Sequence, residues 1–466
     1  MRFFVTICTL LLLCPCRGEA VDQVEADPDL AAIPKSVLSA TAPTTSSTPG
    51  TSSDSRIFLE SALTTWERRS DLPVPTPNAQ PSYQERLSLD VAYDWKATHA
   101  LRFSFSDRLN AFAGDDISLS SSSSLRNDLR EAFASYEVAS QTFLEIGRIN
   151  LKNGPALGYN PTDFFKPRTQ VSLASIDPSE SRQNRLGVFM VQGQKLFDGG
   201  AVTIALAPEV QHQSRLLTGA PASFDPLLGQ TNFSTRYLGS LSFELLGLSP
   251  QILVFHDDVG THLGASSSRV LNTSMVAYAE WSGVDSGSLS QRAIAFGQAT
   301  GSLPPNTPLI PQSSTGKRFQ NDAAIGVSWT SSHRMTVNLE YHYHESGFTR
   351  DDFDRWIELG HSSSPLAREL WFVRTYAMDE GEPLMRQQIF IRLDWPDAFI
   401  QYLNLGLVTF IDPFDRSTLT QLSAQYALSK RWSFGIYATA AFGGVHTEKG
   451  SIPWSRTAVL QIVRYF

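Results

Sequence analysis

The feature that most constrains this chain is an alternation of apolar and polar residues, repeated in many short segments. It is plainest in the last eighty residues, 387–466. In 388–395, Ile389, Ile391, Leu393 and Trp395 share one face, while Gln388, Arg392 and Asp394 share the other. In 431–442, Trp432, Phe434, Ile436, Ala438 and Phe442 fall together. Side chains alternate across a strand, so each such segment is a strand with one apolar face. The stretch reads as four strands. No apolar run reaches the ~20 residues that a spanning helix needs. The combination fits an all-β chain, a transmembrane antiparallel up-and-down β-barrel with an apolar exterior and a polar lumen.

The N-terminus reads as an export signal. Arg2 supplies the positive charge, 3–13 is apolar, and Gly18-Glu19-Ala20 offers small residues for cleavage after Ala20. The organisation expected is a signal peptide at 1–20, a disordered Ser-, Thr- and Pro-rich periplasmic segment at 21–55, and a barrel at 56–466. All three cysteines, Cys8, Cys14 and Cys16, lie in the signal, so the mature chain has no thiol chemistry and no disulfide framework. The formal charge is −8, and this mild acidity argues against a nucleic-acid partner.

Strands are expected at 57–66, 85–94, 101–108, 129–138, 142–151, 185–197, 201–207, 235–246, 251–257, 273–281, 288–298, 318–330 and 334–344, followed by the C-terminal set. The total is about eighteen, within a range of sixteen to eighteen. Asp198-Gly199-Gly200 marks a tight hairpin, because glycine accepts positive φ. The segment 152–184 has no alternation. The longest loop, 346–386, is expected to hold a short helix at 351–359. Short connections alternate with long ones, so the short turns are expected on the periplasmic side, with both termini, and the long loops outside.

Two resemblances add to this. The end Gln461-Ile462-Val463-Arg464-Tyr465-Phe466 resembles the C-terminal signal of Gram-negative outer-membrane proteins, and implies that Tyr465 and Phe466 are read by the barrel assembly machinery. The run Leu129-Arg130-Glu131-Ala132-Phe133, then Gly147-Arg148-Ile149-Asn150, Gly154 and Asn160-Pro161-Thr162-Asp163-Phe164-Phe165, resembles a strand–turn–strand–loop element of porin-like channels, nearest to alginate-export-type channels. It implies a diffusion channel with a loop near or inside the lumen.

A barrel this wide leaves an aqueous path unless loops fill it, and lining charges then set selectivity. The candidate lining and constriction residues are Asp163, Lys166 and Arg168 on the 152–184 segment, faced by Arg102, Arg108, Glu131, Glu145 and Arg148 from the wall. Arg148 falls on the lipid side unless Gly147 marks a bulge or the position lies near the rim; a charge at mid-membrane costs about 2–4 kcal/mol. The alternative for each charge is an interior salt bridge. His342 and His344 beside Glu340 share a strand face, as metal ligands or as solvated lumen residues. Trp66, Trp329, Trp395, Trp432 and Trp454 fit a membrane-interface girdle. No nucleophile elbow, phosphate loop or dinucleotide fingerprint occurs, and no cofactor is expected. The expected function is non-enzymatic: an outer-membrane channel for small polar or charged solutes or an exported polysaccharide, in contact with outer-membrane lipid. The alternatives are a plugged barrel that binds or anchors at the surface and, behind it, a barrel-borne lipid hydrolase.

Overall fold

The computed structural model describes residues 53–74, 76, 82–115, 124–211, 227–308 and 316–466. The expected signal peptide and nearly all of the 21–55 segment lie outside these residues. Ser53 to Ser55, expected to be disordered, already belong to the first strand.

Eighteen strands follow one another in chain order: β1 (Ser53–Arg68), β2 (Tyr83–Lys96), β3 (Leu101–Gly114), β4 (Leu125–Ala139), β5 (Thr142–Ile149), β6 (Val188–Phe197), β7 (Gly200–Ala207), β8 (Arg236–Phe243), β9 (Gln251–His256), β10 (Thr261–Asn272), β11 (Met275–Ser286), β12 (Arg318–Thr330), β13 (Thr336–His344), β14 (Gln387–Trp395), β15 (Leu403–Ile411), β16 (Thr418–Ser429), β17 (Trp432–Phe442) and β18 (Trp454–Tyr465). Each pairs antiparallel with its neighbours, and β1 pairs with β18 from Phe58↔Tyr465 to Arg68↔Trp454, which closes the sheet. Closure leaves no edge strand unpaired. Among the described residues five helices sit in the connections: α1 (Pro178–Asn184), α2 (Leu228–Thr231), α3 (Leu289–Ala299), α4 (Arg350–Ser362) and α5 (Ser364–Glu380). Among the described residues no helix is long and apolar enough to cross a membrane.

The period-two pattern sets the faces. Phe103, Phe105, Ile204, Ile325, Leu339, Ile436 and Leu460 are exposed on the outer wall. Their neighbours Ser88, Asp90, Asn110, Glu340 and Gln421 point inward and are buried. Trp329, Trp395 and Trp432 lie on the outer face near the short-turn end, as a girdle requires. Trp66 departs from that expectation: it pairs with Thr457 and, by register, faces the lumen at the other end.

Four expectations need correction. The last eighty residues hold five strands, not four. The segment 288–298 is helix α3: Ser288 and Gln291 form a capping box, and Leu289, Ala293, Ile294 and Gly297 bury one helical face. The strand Thr261–Asn272 is absent from the expected strands, because Gly264, Ser266 and Ser268 are among its inward positions and its contrast is low. Its turn to β9, at 257–260, is short yet lies on the long-loop side. In 346–386 the expected helix is longer, α4, and a second one, α5, follows it.

Candidate functional site

The connection between β5 and β6, residues 150–187, runs inside the barrel. It leaves β5 and reaches the wall at β11 and β13. There Glu280 accepts the Ala156 N–H at 2.5 Å and the Thr162 hydroxyl at 2.8 Å. Glu340 accepts the N–H groups of Leu157 and Gly158, both at 2.8 Å. Gly158 lies so close to Phe390 and His342 that a Cβ has no room there. The chain then turns to the far side, where Phe164 and Phe165 pack on Met190, Leu238, Leu253 and Phe255, with Phe164 stacked on Phe255 at 4.8 Å. It continues past β2, where Arg86 donates to the Ser172 carbonyl at 2.6 Å, and past β16, where Gln421 accepts from Ser175 and Ile176. Finally Asp177 caps α1 and pairs with Arg392 of β14 at 2.7 Å.

The missing alternation in 152–184 is explained by this course. The segment belongs to no sheet, so its backbone groups find side-chain partners on the wall instead.

The expected site residues fall into three groups. Asp163, Lys166 and Arg168 lie inside the barrel, and each is engaged. Asp163 takes a bidentate pair from Arg185 at 2.8 and 2.9 Å and a second arginine, Arg182, at 3.4 Å. Burial pushes its carboxyl up, but the two guanidiniums outweigh burial and hold it below the usual range. Lys166 donates to the Asn160 carbonyl at 2.7 Å and lies over the Tyr159 ring. Burial draws its pKa down against the pull of Glu382 and Asp163. Arg168 pairs with Glu380 at 3.2 Å and stacks on Phe233 and Phe296.

On the wall, Arg108 contacts Glu60 at 2.6 Å and Asp90 at 3.8 Å, both buried. Arg86, Arg126 and Arg130 join it, pairing with Glu60, Asp128 and Asp90. Arg86, Arg108 and Arg130 share Glu60 and Asp90 in one ion-pair network, and Asn110 links it to the Arg126–Asp128 pair, so Arg108 meets the interior salt-bridge alternative. Arg102, Glu131 and Glu145 also face inward but are only half-buried; Arg102 pairs with Asp94 at 2.9 Å near the short-turn end.

Arg148 lies outside both groups. No register shift accompanies Gly147, although its φ is +133°, and Arg148 stands opposite the outward Ala132 and Phe189. It lies at the long-loop end of β5, buried, donating to the Gly187 carbonyl at 2.8 Å with Thr231 at 3.4 Å. It ties the rim together and does not line the lumen. At the C-terminus, Tyr465 faces inward against Phe58, and Arg464 lies over the rings of Trp432 and Phe466.

Glu280, Glu340, Arg392 and Arg185 do most of the holding of the segment and were not among the expected site residues. The signal was present for the three on the wall: each is a charge at an inward position of an alternating strand. His342 bonds Glu340 at 2.8 Å and His344 bonds Asp322 at 2.8 Å. Among the described residues no group of three His, Cys, Asp or Glu side chains is placed to hold a metal ion.

No protein-family model matches the chain, and no curated protein matches it. Solved structures do. OccK8 (OprE) of Pseudomonas aeruginosa superposes with a TM-score of 0.51 at 11% identity, over 89% of this chain and 98% of that one. OccK11 (OpdR) of the same organism gives 0.48 at 10% identity, over 89% and 96%. A mutant of the porin of Rh. blastica gives 0.40 at 9% identity, over 89% and 100%. The likeness is one of fold: a closed antiparallel barrel of the porin kind, here with eighteen strands.

Proposed function

We propose that this protein is a channel of a Gram-negative outer membrane, passing small polar or charged solutes by diffusion. The observation that carries the reading is a closed barrel, apolar outside and charged inside, with a long segment folded across its lumen rather than out into solvent. The short-turn end would face the periplasm, the apolar wall would contact outer-membrane lipid, and the barrel assembly machinery would read Tyr465 and Phe466. No catalytic step is invoked. Selectivity would come from the half-buried inward charges Arg102, Glu131 and Glu145 and from what the segment 150–187 leaves open.

One observation favours the plugged barrel as a second reading. The inward wall residues Glu340 and Gln421, which bond the segment, are at most 2% exposed. An exported polysaccharide, implied by the likeness to alginate-export-type channels, would need a wider path and so a displaced segment.

Planar-bilayer recording of the purified protein separates these readings. Ohmic steps in wild type support the channel, and a barrel that stays silent supports the plug. Liposome swelling by small charged solutes but not by oligosaccharides would assign the solute class.

A further inference from the structure

Helices α3, α4 and α5 come from two long connections, yet they share one hydrophobic core. Leu289, Ala293, Phe353, Trp356, Leu370 and Trp371 are buried together, with Val74 from the β1–β2 connection packed against them. This cap belongs to the long-loop end. The internal segment belongs to the lumen. They meet where residues 166–170 run along the last turn of α5.

The meeting is chemically specific. The last carbonyls of a helix have no partner within it. Here the Arg168 N–H donates to the Asp379 carbonyl at 2.6 Å, and the Gln170 side chain donates to the Met378 carbonyl at 2.5 Å. The Arg168 guanidinium reaches Glu380 at 3.2 Å and lies over the ring of Phe296, which comes from α3. A cation also suits the negative end of the helix dipole. Next to it, Arg292 of α3 pairs with Glu382 at 2.6 Å, and Glu382 lies 3.4 Å from His344 on the wall. Arg168 has φ +57°, a conformation that a non-glycine residue keeps only where its surroundings impose it. Gly381 and Glu382 cap the Met378 and Ala377 carbonyls from within the chain, and the internal segment supplies the partner of the Asp379 carbonyl, so each holds the other in place.

We propose that the cap and the internal segment form a single gate, with Arg168 as the positioning residue that pins one to the other. A solute entering from the long-loop end then meets one closure with two parts, and loosening either part loosens both. The proposal rests on the channel reading given above. It adds that a change in the cap core, remote from the lumen, is felt in the pore.

The test compares wild type with Arg168→Ala, Glu380→Gln, Leu370→Ala and the Arg168→Ala/Leu370→Ala double variant. Each is purified from membranes and checked for β-structure by circular dichroism. Two readouts are taken, bilayer conductance and protease cleavage within α3, α4 and α5. The expectation is that Arg168→Ala and Leu370→Ala each raise mean conductance at least twofold and each speed cleavage of the cap. The double variant should add little to the larger single effect, as coupled sites do. Glu380→Gln, which keeps the size of the side chain, should act in the same direction. The pin is overturned if Leu370→Ala opens the cap to protease while conductance stays at the wild-type value. It is also overturned if Arg168→Ala alters conductance while the cap stays resistant. If no protein conducts, wild type included, the channel reading fails separately. The pin is then judged by protease alone, and a resistant cap in Arg168→Ala overturns it.

Discussion

Replacing Glu340 by alanine should release the internal segment from the β13 wall, by an amount that the structure allows one to work out. Glu340 is 1% exposed, and each of its oxygens takes one backbone N–H from the segment, from Leu157 and from Gly158, at 2.8 Å. Tyr278 and His342 complete its shell from the wall side. In Glu340→Ala both amides lose a charged acceptor while still enclosed. A hydrogen bond to a charged group contributes about 1.5–3 kcal/mol, so the hold on the segment weakens by about 3–6 kcal/mol. At 1.4 kcal/mol per factor of ten, local opening rises by about 10²–10⁴. Water entering the gap moves the result toward the lower figure. Hydrogen–deuterium exchange of fragments covering 155–165, in detergent micelles, reads this directly, and Glu340→Gln should fall between wild type and Glu340→Ala. Acceleration of less than tenfold at Leu157 and Gly158 in Glu340→Ala would refute the view that this carboxylate holds the segment.

Three further outcomes are expected. Phe165→Ala removes a ring that is 1% exposed and edge-on to Phe255, and should cost about 3–5 kcal/mol in denaturant unfolding from micelles; a loss under about 1 kcal/mol would contradict the docking described. Burial first, then the negative charge of Asp177, raises Glu180 in α1 from 4.5 to about 8. The folded state then binds the extra proton between these values, so stability and the grip of the segment fall as pH rises through that window. Conductance should rise from pH 5 to pH 9, and Glu180→Gln should flatten the profile; a slope that survives in Glu180→Gln assigns it to another group. Arg102→Glu, at an accessible pair with Asp94, should shift permeability toward cations with a stability change under about 1 kcal/mol. Arg108→Glu, inside the buried network with Glu60, should instead destabilise by about 3–5 kcal/mol, read from the same unfolding assay.

Much of the barrel was legible because period two is a local property. Leu87, Leu89, Val91 and Tyr93 against Arg86, Ser88 and Asp90 fix the phase of β2 without reference to any other strand. The failures have the same local origin. Ser288–Gln298 carries apolar residues at spacings that suit either period, and only the Ser288–Gln291 capping box tips it to a helix. The strand Thr261–Asn272 faces the lumen with glycine and serine, which give no contrast. The site was legible in outline: 152–184 was marked by its lack of alternation, and three of its charges were singled out. Their partners were not. A charge on an inward face can line a path or close a bridge, and the choice depends on what stands opposite, which is long-range information. Arg108 and Asp163 bridge, whereas Arg102 stays accessible.

One departure from alternation is itself informative. On β6–β9 the inward positions Met190, Ala205, Ala207, Leu238, Leu253 and Phe255, toward the long-loop end, are apolar, so these parts of the strands are apolar on both faces, although Gln192, Thr203 and Arg236 also point inward. An apolar patch inside a water-filled cylinder is unfavourable, by about 25 cal/mol for each Å² left wet. The patch makes sense only if something apolar covers it, and Phe164 and Phe165 do so. Opposite them the inward faces of β11, β13 and β14 carry Glu280, Glu340 and Arg392, which match the polar backbone and Asp177 of the same segment. The inner wall is therefore written in two chemistries, each complementary to the part of 150–187 that touches it. The course of the segment across the lumen follows from that division, and strands apolar on both faces beside a long unpatterned connection are the mark by which such a segment can be sought in other barrels.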